Sequence, residues 1–249
     1  MHVRMACPLL GVSVEGRIAM SRSVTEPNDA ARVTGDAARL RVNEIFYSLQ
    51  GESRTVGLPT VFIRLTGCPL RCGYCDTEYA FHEGNWMTTP DILSQVASHQ
   101  PRYVTVTGGE PLAQRPCTEL LTRLCDTGYE VSLETSGTLD IGHVDPRVCV
   151  VMDVKTPGSG EAAKNDAANL TKLKKTDQVK FVISDRADYE WSREFLMRER
   201  LAERCELLFS PVWDRVEPRV LAEWVLADHL TVRVQVQLHK LLWGEKRGH

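Results

Sequence analysis

The sequence predicts a partial, truncated parallel β/α barrel, and three observations carry that prediction. From about residue 40 onward, short β-branched runs alternate with segments of helical spacing, the texture of β/α units around a parallel sheet. Polar groups recur just past successive strand candidates, where the loops of such a barrel share one mouth. The run of units is too short for a complete eight-fold barrel, so an incomplete one is expected.

Taken in order, strands are expected over 42–48 and 60–66. Past a cysteine-rich loop comes a helix over 90–99, with Thr89 as N-cap and Pro90 at the first helical position, where proline's missing N–H does no harm. A strand over 102–107 follows. The helix over 117–127 opens after Pro116, places Leu120, Leu121 and Leu124 on one face and stops at Gly128, as an amphipathic helix with a glycine C-terminus should. Strands over 129–134 and 148–154 come next. The stretch 156–178 is too polar to predict a helix. Strands over 179–184, 206–210 and 231–237 then alternate with helices over 187–202 and 217–228. Residues 1–40 lack sustained periodicity and are rich in small and polar residues, so they are expected to form a disordered extension, with Met20 as an alternative start and 41–249 as the core domain.

With 249 residues, 43% of them hydrophobic, the chain can bury one sizeable core. A formal charge of −3 gives no basic excess, which argues against nucleic acid or an anionic membrane as partner. No apolar stretch approaches the roughly 20 residues of a membrane helix, and Glu15 and Arg17 interrupt the one mildly apolar N-terminal segment, so neither a membrane span nor a secretory signal is expected. Eight cysteines at irregular intervals do not form a disulfide framework, and a reducing cytoplasm is the expected location. Cys7, Cys117, Cys125, Cys149 and Cys205 stand apart, mostly in apolar runs, and are expected to be ordinary buried thiols.

The other three thiols carry the chemistry. Gly67-Cys68-Pro69-Leu70-Arg71-Cys72-Gly73-Tyr74-Cys75-Asp76-Thr77 places Cys68, Cys72 and Cys75 in one tight loop straight after a strand, a spacing that wraps a single iron–sulfur cluster. Three ligands leave one iron of a four-iron four-sulfur (4Fe-4S) cluster open to a further ligand. The competing reading is a structural zinc knuckle, which needs a fourth protein ligand from outside the loop, His82 or the distant Cys117.

The C-x3-C-x2-C spacing, with an aromatic residue before the last cysteine, resembles the signature of radical S-adenosylmethionine enzymes, and Gly108-Gly109-Glu110-Pro111 resembles their second motif. The resemblance implies that S-adenosylmethionine chelates the open iron and is cleaved reductively to a 5′-deoxyadenosyl radical. Glycines in the second motif let backbone groups approach the ligand.

Asn43 to Ser53 with its Ser-Leu-Gln-Gly-Glu core, Arg64, Cys75-Asp76-Thr77, Glu134-Thr135-Ser136-Gly137, Asp153-Val154-Lys155 and Gln237-Leu238-His239-Lys240 together resemble the 7-carboxy-7-deazaguanine synthases over about 42–243. The resemblance implies conversion of 6-carboxy-5,6,7,8-tetrahydropterin to 7-carboxy-7-deazaguanine with loss of ammonia, within queuosine and 7-deazapurine precursor synthesis. It also implies magnesium, a homodimer, and flavodoxin or ferredoxin as electron donor. By the same resemblance Leu49, Gln50, Gly51, Arg64 and Thr107 bind the pterin, and a guanidinium at Arg64 suits a carboxylate. Tyr74, Cys75, Asp76, Gly109, Ser136, Asp153, Val154, Lys155, Ser210, Pro211, Val212 and Trp213 bind the cofactor. Thr77 offers magnesium a hard oxygen, and Glu52 and His239 are the candidates for proton transfer. Two departures stand out: the chain continues past the His-Lys segment to His249, and Ser210 replaces a glutamine found in some relatives. Two rivals remain open at this point, an activase that installs a glycyl radical in a partner protein and a non-catalytic metal-binding module.

Overall fold

Alternation along the strands builds the sheet and divides its two faces between core and cavity. The computed structural model describes residues 38–249; Cys7, Met20 and the expected disordered extension up to residue 37 lie outside the described residues. The elements are β1 (Arg39–Leu49), β2 (Pro59–Leu65), β3 (Asn85–Thr88), α1 (Thr89–Ser98), β4 (Tyr103–Gly108), α2 (Cys117–Asp126), β5 (Glu130–Thr135), β6 (Cys149–Val154), β7 (Gln178–Ile183), α3 (Arg186–Arg198), β8 (Glu206–Pro211), α4 (Pro218–Ala227), β9 (Arg233–Val234) and α5 (Leu238–Trp243). They form one nine-stranded sheet in the order β3-β1-β2-β4-β5-β6-β7-β8-β9. From β2 onward, neighbours across the sheet run parallel, whereas β1 is antiparallel to both β2 and β3. The sheet ends at β3 and β9 without closing, as a truncated barrel should.

On one face Val104, Val106 and Leu133 pack with the leucines of α2, while Phe181 and Phe209 pack with α3 and α4. Each such side chain is worth about 1.5–3 kcal/mol by burial. The intervening residues Thr107, Glu134, Asp153, Lys180 and Ser210 face inward around a cavity. Strand geometry forces this division, since neighbouring side chains point to opposite faces. A full β/α barrel fills its interior with branched apolar residues; this partial one keeps a polar interior.

Three local features differ from the sequence expectations. β3 was not expected, because four residues are too few to display alternation. Helix α1 is capped by Thr88 rather than Thr89: Thr88 Oγ1 accepts from the Asp91 N–H, and the Asp91 side chain accepts from the Thr88 backbone. That reciprocal arrangement satisfies two free donors, and Thr89 turns into the core. The expected strand 231–237 shrinks to Arg233–Val234. The Gln235 N–H still bonds Phe209 O of β8 at 3.0 Å, while its side-chain oxygen takes the Ser53 N–H at 2.9 Å, and the chain then turns into α5 at Leu238.

The segment between β1 and β2 takes over part of what the missing strands would do. It is closed on itself by Gln50 N–H to Leu58 O at 2.9 Å and Gly57 N–H to Gln50 O at 2.8 Å. Its tip reaches across to the far side of the sheet, where Arg54 N–H meets Gln178 Oε1 at 3.1 Å and Leu238 N–H meets Gly51 O at 3.1 Å. Gln50, Gly51 and Glu52 are thereby carried into the barrel interior.

The polar stretch after β6 forms three short 3-10 turns, Pro157–Ser159, Ala162–Lys164 and Ala167–Thr171. Asp188 of α3 anchors the first: its buried carboxylate accepts from Gly158 N at 2.7 Å, Ser184 N at 3.1 Å and Ser184 Oγ at 2.5 Å. Asp188→Ala should leave those donors unpaired and cost about 2–4 kcal/mol. The expected result is a lower urea midpoint with unchanged slope; a midpoint equal to wild type would show that water replaces the carboxylate.

Candidate active site

The loops at the carboxyl ends of the parallel strands surround a cavity of about 510 Å³. Nearly every residue singled out in the sequence lines it. On one wall, the loop after β2 carries Cys68, Cys72 and Cys75, all partly buried free thiols open to the cavity. The loop is fixed by the buried side chain of Leu70, by Glu161 Oε1 accepting the Arg71 N–H at 2.6 Å, and by Cys75 N–H to Cys72 O at 3.1 Å. Burial pushes the Cys68 and Cys72 thiols up, and Lys155 partly opposes this at both.

Gly108 and Gly109 abut this loop. At Gly109 a Cβ would lie 2.2 Å from Gly67 O and 2.7 Å from Cys68 Cβ. Gly108 has φ +152°, and a Cβ there would lie 2.2 Å from Leu65 O. Both positions therefore require glycine on steric grounds. Glu110, next in the motif, has no exposed surface and accepts from Leu112 N, Thr135 Oγ1 and Ser136 N at 3.0, 2.8 and 2.7 Å. It ties the loop after β4 to the loop after β5, while Gly109 and Ser136 face the cavity.

A hydrogen-bonded cluster occupies the wall nearest β1. Gln50 Nε2 reaches Thr105 Oγ1 at 3.2 Å and Glu134 Oε1 at 3.3 Å, and Thr107 Oγ1 donates to Glu134 Oε2 at 2.9 Å. Arg64 donates through Nε to Glu44 Oε1 at 2.8 Å, leaving its terminal nitrogens for a ligand. Burial alone would lower the Arg64 pKa, but Tyr79 and Glu44 outweigh it and raise it.

Alternating charges cross the floor. Lys155 Nζ lies 3.0 Å from Asp153 Oδ2, Lys180 Nζ lies 3.7 Å from the same oxygen and 2.8 Å from Glu52 Oε2, and Ser210 Oγ donates to Glu52 Oε1 at 3.2 Å. Burial alone would lower the Lys180 pKa; Glu52 and Asp153 more than offset it, so the ammonium is held charged above its ordinary range. Two buried polar atoms on this side, Asp153 Oδ1 and the Tyr74 hydroxyl, have no partner among the described residues. Burial pushes the Tyr74 phenol up to about 12.

At the mouth, Asp76 pairs with Lys240 at 3.1 Å and accepts from Gln237 Nε2 at 3.1 Å. Burial alone would raise the Asp76 carboxyl, but Lys240 and Gln237 outweigh it and hold it low. His239 packs so tightly on Gly51 that a Cβ there would lie 2.1 Å from Nδ1. Burial lowers the imidazole pKa, and Glu52 and Asp76 only partly oppose this, which favours the uncharged ring. Thr77, Leu49, Pro211, Val212 and Trp213 also line the cavity. Val154 is the exception among the expected residues. Its side chain lies in the hydrophobic core, because strand alternation turns it away from Asp153 and Lys155.

Lys180 also lines the cavity without having been singled out, and Glu134 and Lys240, which entered the sequence reading only as members of longer motifs with no role of their own, line it too. For Lys180 a signal existed in the sequence: a single charge inside the apolar run Gln178–Ile183 sits where its neighbours face the core. For the other two only the fold supplies the neighbours that give them a role.

Fold and site together define a radical S-adenosylmethionine protein, and a family model described as the Radical SAM superfamily matches residues 62–148. The chain is 45% identical over 215 residues to the 7-carboxy-7-deazaguanine synthase of Chlorobaculum tepidum, covering 85% of this chain and 98% of that one. Its identity to the Koribacter versatilis synthase is 42% over 219 residues, covering 82% and 97%. The chain belongs to the 7-carboxy-7-deazaguanine synthase family. The crystal structure of QueE from Escherichia coli superimposes with a TM-score of 0.66 at 25% identity, covering 80% of this chain and 94% of that one. Among the described residues no helix is long and apolar enough to cross a membrane.

Proposed function

We propose that the chain converts 6-carboxy-5,6,7,8-tetrahydropterin to 7-carboxy-7-deazaguanine with loss of ammonia. The observation that carries this reading is one cavity shared by the three-thiol loop, the Gly108-Gly109 approach and the free edge of Arg64. A volume of about 510 Å³ lies within the roughly 300–1,000 Å³ of small-molecule sites. The Gln50, Thr107 and Arg64 side chains gathered around one wall favour a small carboxylated substrate over the protein loop that an activase would take, and a binding module has no use for a floor of buried charges.

The donor set fits an iron–sulfur cluster better than zinc. Among the described residues no three of His, Cys, Asp and Glu converge as one ion requires, whereas in a cluster each thiolate takes its own iron. His82 is exposed and Cys117 is buried in the α2 core, so neither completes a zinc knuckle. Cys68, Cys72 and Cys75 would hold the cluster, and the unpartnered Asp153 Oδ1 offers an acceptor for donor groups of S-adenosylmethionine. When bound, cluster and cofactor supply the radical that removes a hydrogen atom from the substrate.

The remaining work falls to this chain's own side chains. Arg64 receives the substrate carboxylate through its terminal nitrogens, and Gln50, Thr107 and Glu134 present a preorganised row of donors and acceptors to the ring edge. His239, packed on Gly51, can accept a proton, and the adjoining Glu52 is fixed by Lys180 and Ser210; loss of ammonia requires such transfers. Thr77 Oγ1, 3.8 Å from Cys75 Sγ, places a hard oxygen for magnesium next to the cluster loop. A flavodoxin or ferredoxin serves as electron donor in this reading.

The test is anaerobic turnover of the reconstituted protein with S-adenosylmethionine, dithionite, magnesium and 6-carboxytetrahydropterin, followed by mass spectrometry. The expected result is 7-carboxy-7-deazaguanine that disappears in Cys72→Ala. Formation of 5′-deoxyadenosine without that product would retain the radical chemistry and discard the substrate.

A further inference from the structure

Tyr79 sits in a short 3-10 turn, Glu78–Phe81, just past the cysteine loop, and its ring is approached by two guanidiniums. Arg247 of the C-terminal segment stacks over it at 3.7 Å, and Arg64 lies 5.9 Å from the same centroid. The Tyr79 hydroxyl donates to Glu44 Oε1 at 3.0 Å, the same oxygen that takes Arg64 Nε at 2.8 Å. Tyr79 therefore touches the Arg64–Glu44 pair with its polar end and the C-terminal segment with its face.

That segment leaves α5 through a turn at Gly244, whose φ is +65°, and returns toward the cavity. Glu245 and His249 line the same cavity as Arg64, and the His249 ring lies 4.9 Å from that of Trp243. Arg247 also pairs with Glu83 at 3.1 Å, but both side chains are more than half exposed, and such a pair contributes little. The stack on Tyr79 is the stronger anchor, since a guanidinium lies well on an aromatic face.

We infer that Tyr79 and Arg247 form a latch: they are positioning residues that set Arg64 for the substrate carboxylate and hold residues 245–249 over the mouth of the cavity. This rests on the reading above, in which Arg64 meets the carboxylate of the pterin. Neither residue touches the reacting atoms. Their effect falls on substrate affinity rather than on the radical step.

The experiment measures calorimetric binding of 6-carboxytetrahydropterin to the reconstituted full chain, together with KM and kcat. Arg247→Ala and Tyr79→Leu should each weaken binding about three- to tenfold and raise KM in parallel, with kcat changed by less than about twofold, as loss of uniform binding requires. Arg247→Lys, which keeps the charge but not the flat stack, should fall between wild type and alanine. Adding Arg247→Ala to Tyr79→Leu should weaken binding no further, because Tyr79→Leu has already removed the face on which Arg247 stacks. If Tyr79→Leu loses its iron, the two variants at exposed Arg247 decide the matter alone. Wild-type affinity in Arg247→Ala, or independent effects in the double variant, overturns the latch and leaves the substrate reading intact. A wild-type protein that cleaves S-adenosylmethionine yet does not bind the pterin overturns that reading and the latch with it.

Discussion

Gly109→Ala is expected to reduce product formation by on the order of 10²-fold or more, because an ångström-scale displacement at a reacting centre can cost that much. The added Cβ would lie 2.2 Å from Gly67 O and 2.7 Å from Cys68 Cβ, well inside contact distance of backbone and of a cluster ligand. Neither neighbour is the free end of a flexible side chain. The Glu110 N–H bonds Gly67 O at 2.8 Å, and the Gly109 N–H bonds Leu65 O at 3.2 Å, so the two loops cannot separate without breaking hydrogen bonds at both ends. Relief of the clash moves the cysteine loop. Iron per chain and yield of 7-carboxy-7-deazaguanine, measured on the same preparation, provide the check. Full iron loading with wild-type turnover would show that the loop yields without functional cost.

The second large effect concerns the floor of the cavity. Glu52→Leu leaves the Lys180 ammonium with only the more distant Asp153 oxygen, at 3.7 Å. The Lys180 and Glu52 side chains are each only 13% exposed, so water cannot readily replace the lost carboxylate, and stability should fall by about 3 kcal/mol. Adding Lys180→Met removes the stranded charge, and the double variant should recover most of that stability without recovering turnover. The pH dependence has a definite sign. A lysine whose folded pKa is raised contributes stability that is fully present below its unfolded value of about 10.4 and is lost as pH climbs through the folded value. In wild type the loss is confined to strongly alkaline solution, because Glu52 and Asp153 hold the ammonium charged. In Glu52→Leu it should begin at lower pH. Denaturant midpoints for wild type, single and double variants across neutral and alkaline pH decide this. Equal stability of the single and double variants would mean that Asp153 alone satisfies Lys180.

Several parts of this site follow from local chemistry, and those parts were legible in the sequence. Three thiols within eight positions can wrap a cluster whatever surrounds them, and the adjacent glycines mark a close backbone approach. Strand-end polar groups in a β/α chain meet at one mouth, which brings Thr107, Ser136, Asp153, Lys155, Ser210 and His239 together, whereas Gln50 and Arg64 are legible only through the family resemblance; all eight line the cavity. Period-two alternation also separates Val154 from its neighbours, although the motif Asp153-Val154-Lys155 joins all three in sequence.

What the tertiary structure alone decided is who pairs with whom. Glu52 and Lys180 are 128 positions apart and meet at 2.8 Å because the segment after β1 crosses to β7, a crossing that no local pattern announces. Asp76 and Lys240 pair across the mouth, and Arg247 finds Tyr79, for the same reason: ion pairs and stacks at long range depend on chain path, not on residue type. Glu110, read in the sequence as part of a ligand-binding motif, is buried against Thr135 and Ser136, because the φ of +152° at Gly108 and the extended backbone of Glu110 point its carboxylate into the protein. By itself the sequence determined the fold class and the cluster loop, since periodicity, spacing and steric need are properties of neighbouring residues, and its resemblance to known synthases pointed to the family. Charge pairing, protonation and the position of the C-terminal segment were decided only in three dimensions, where burial and distance set the strength of each interaction.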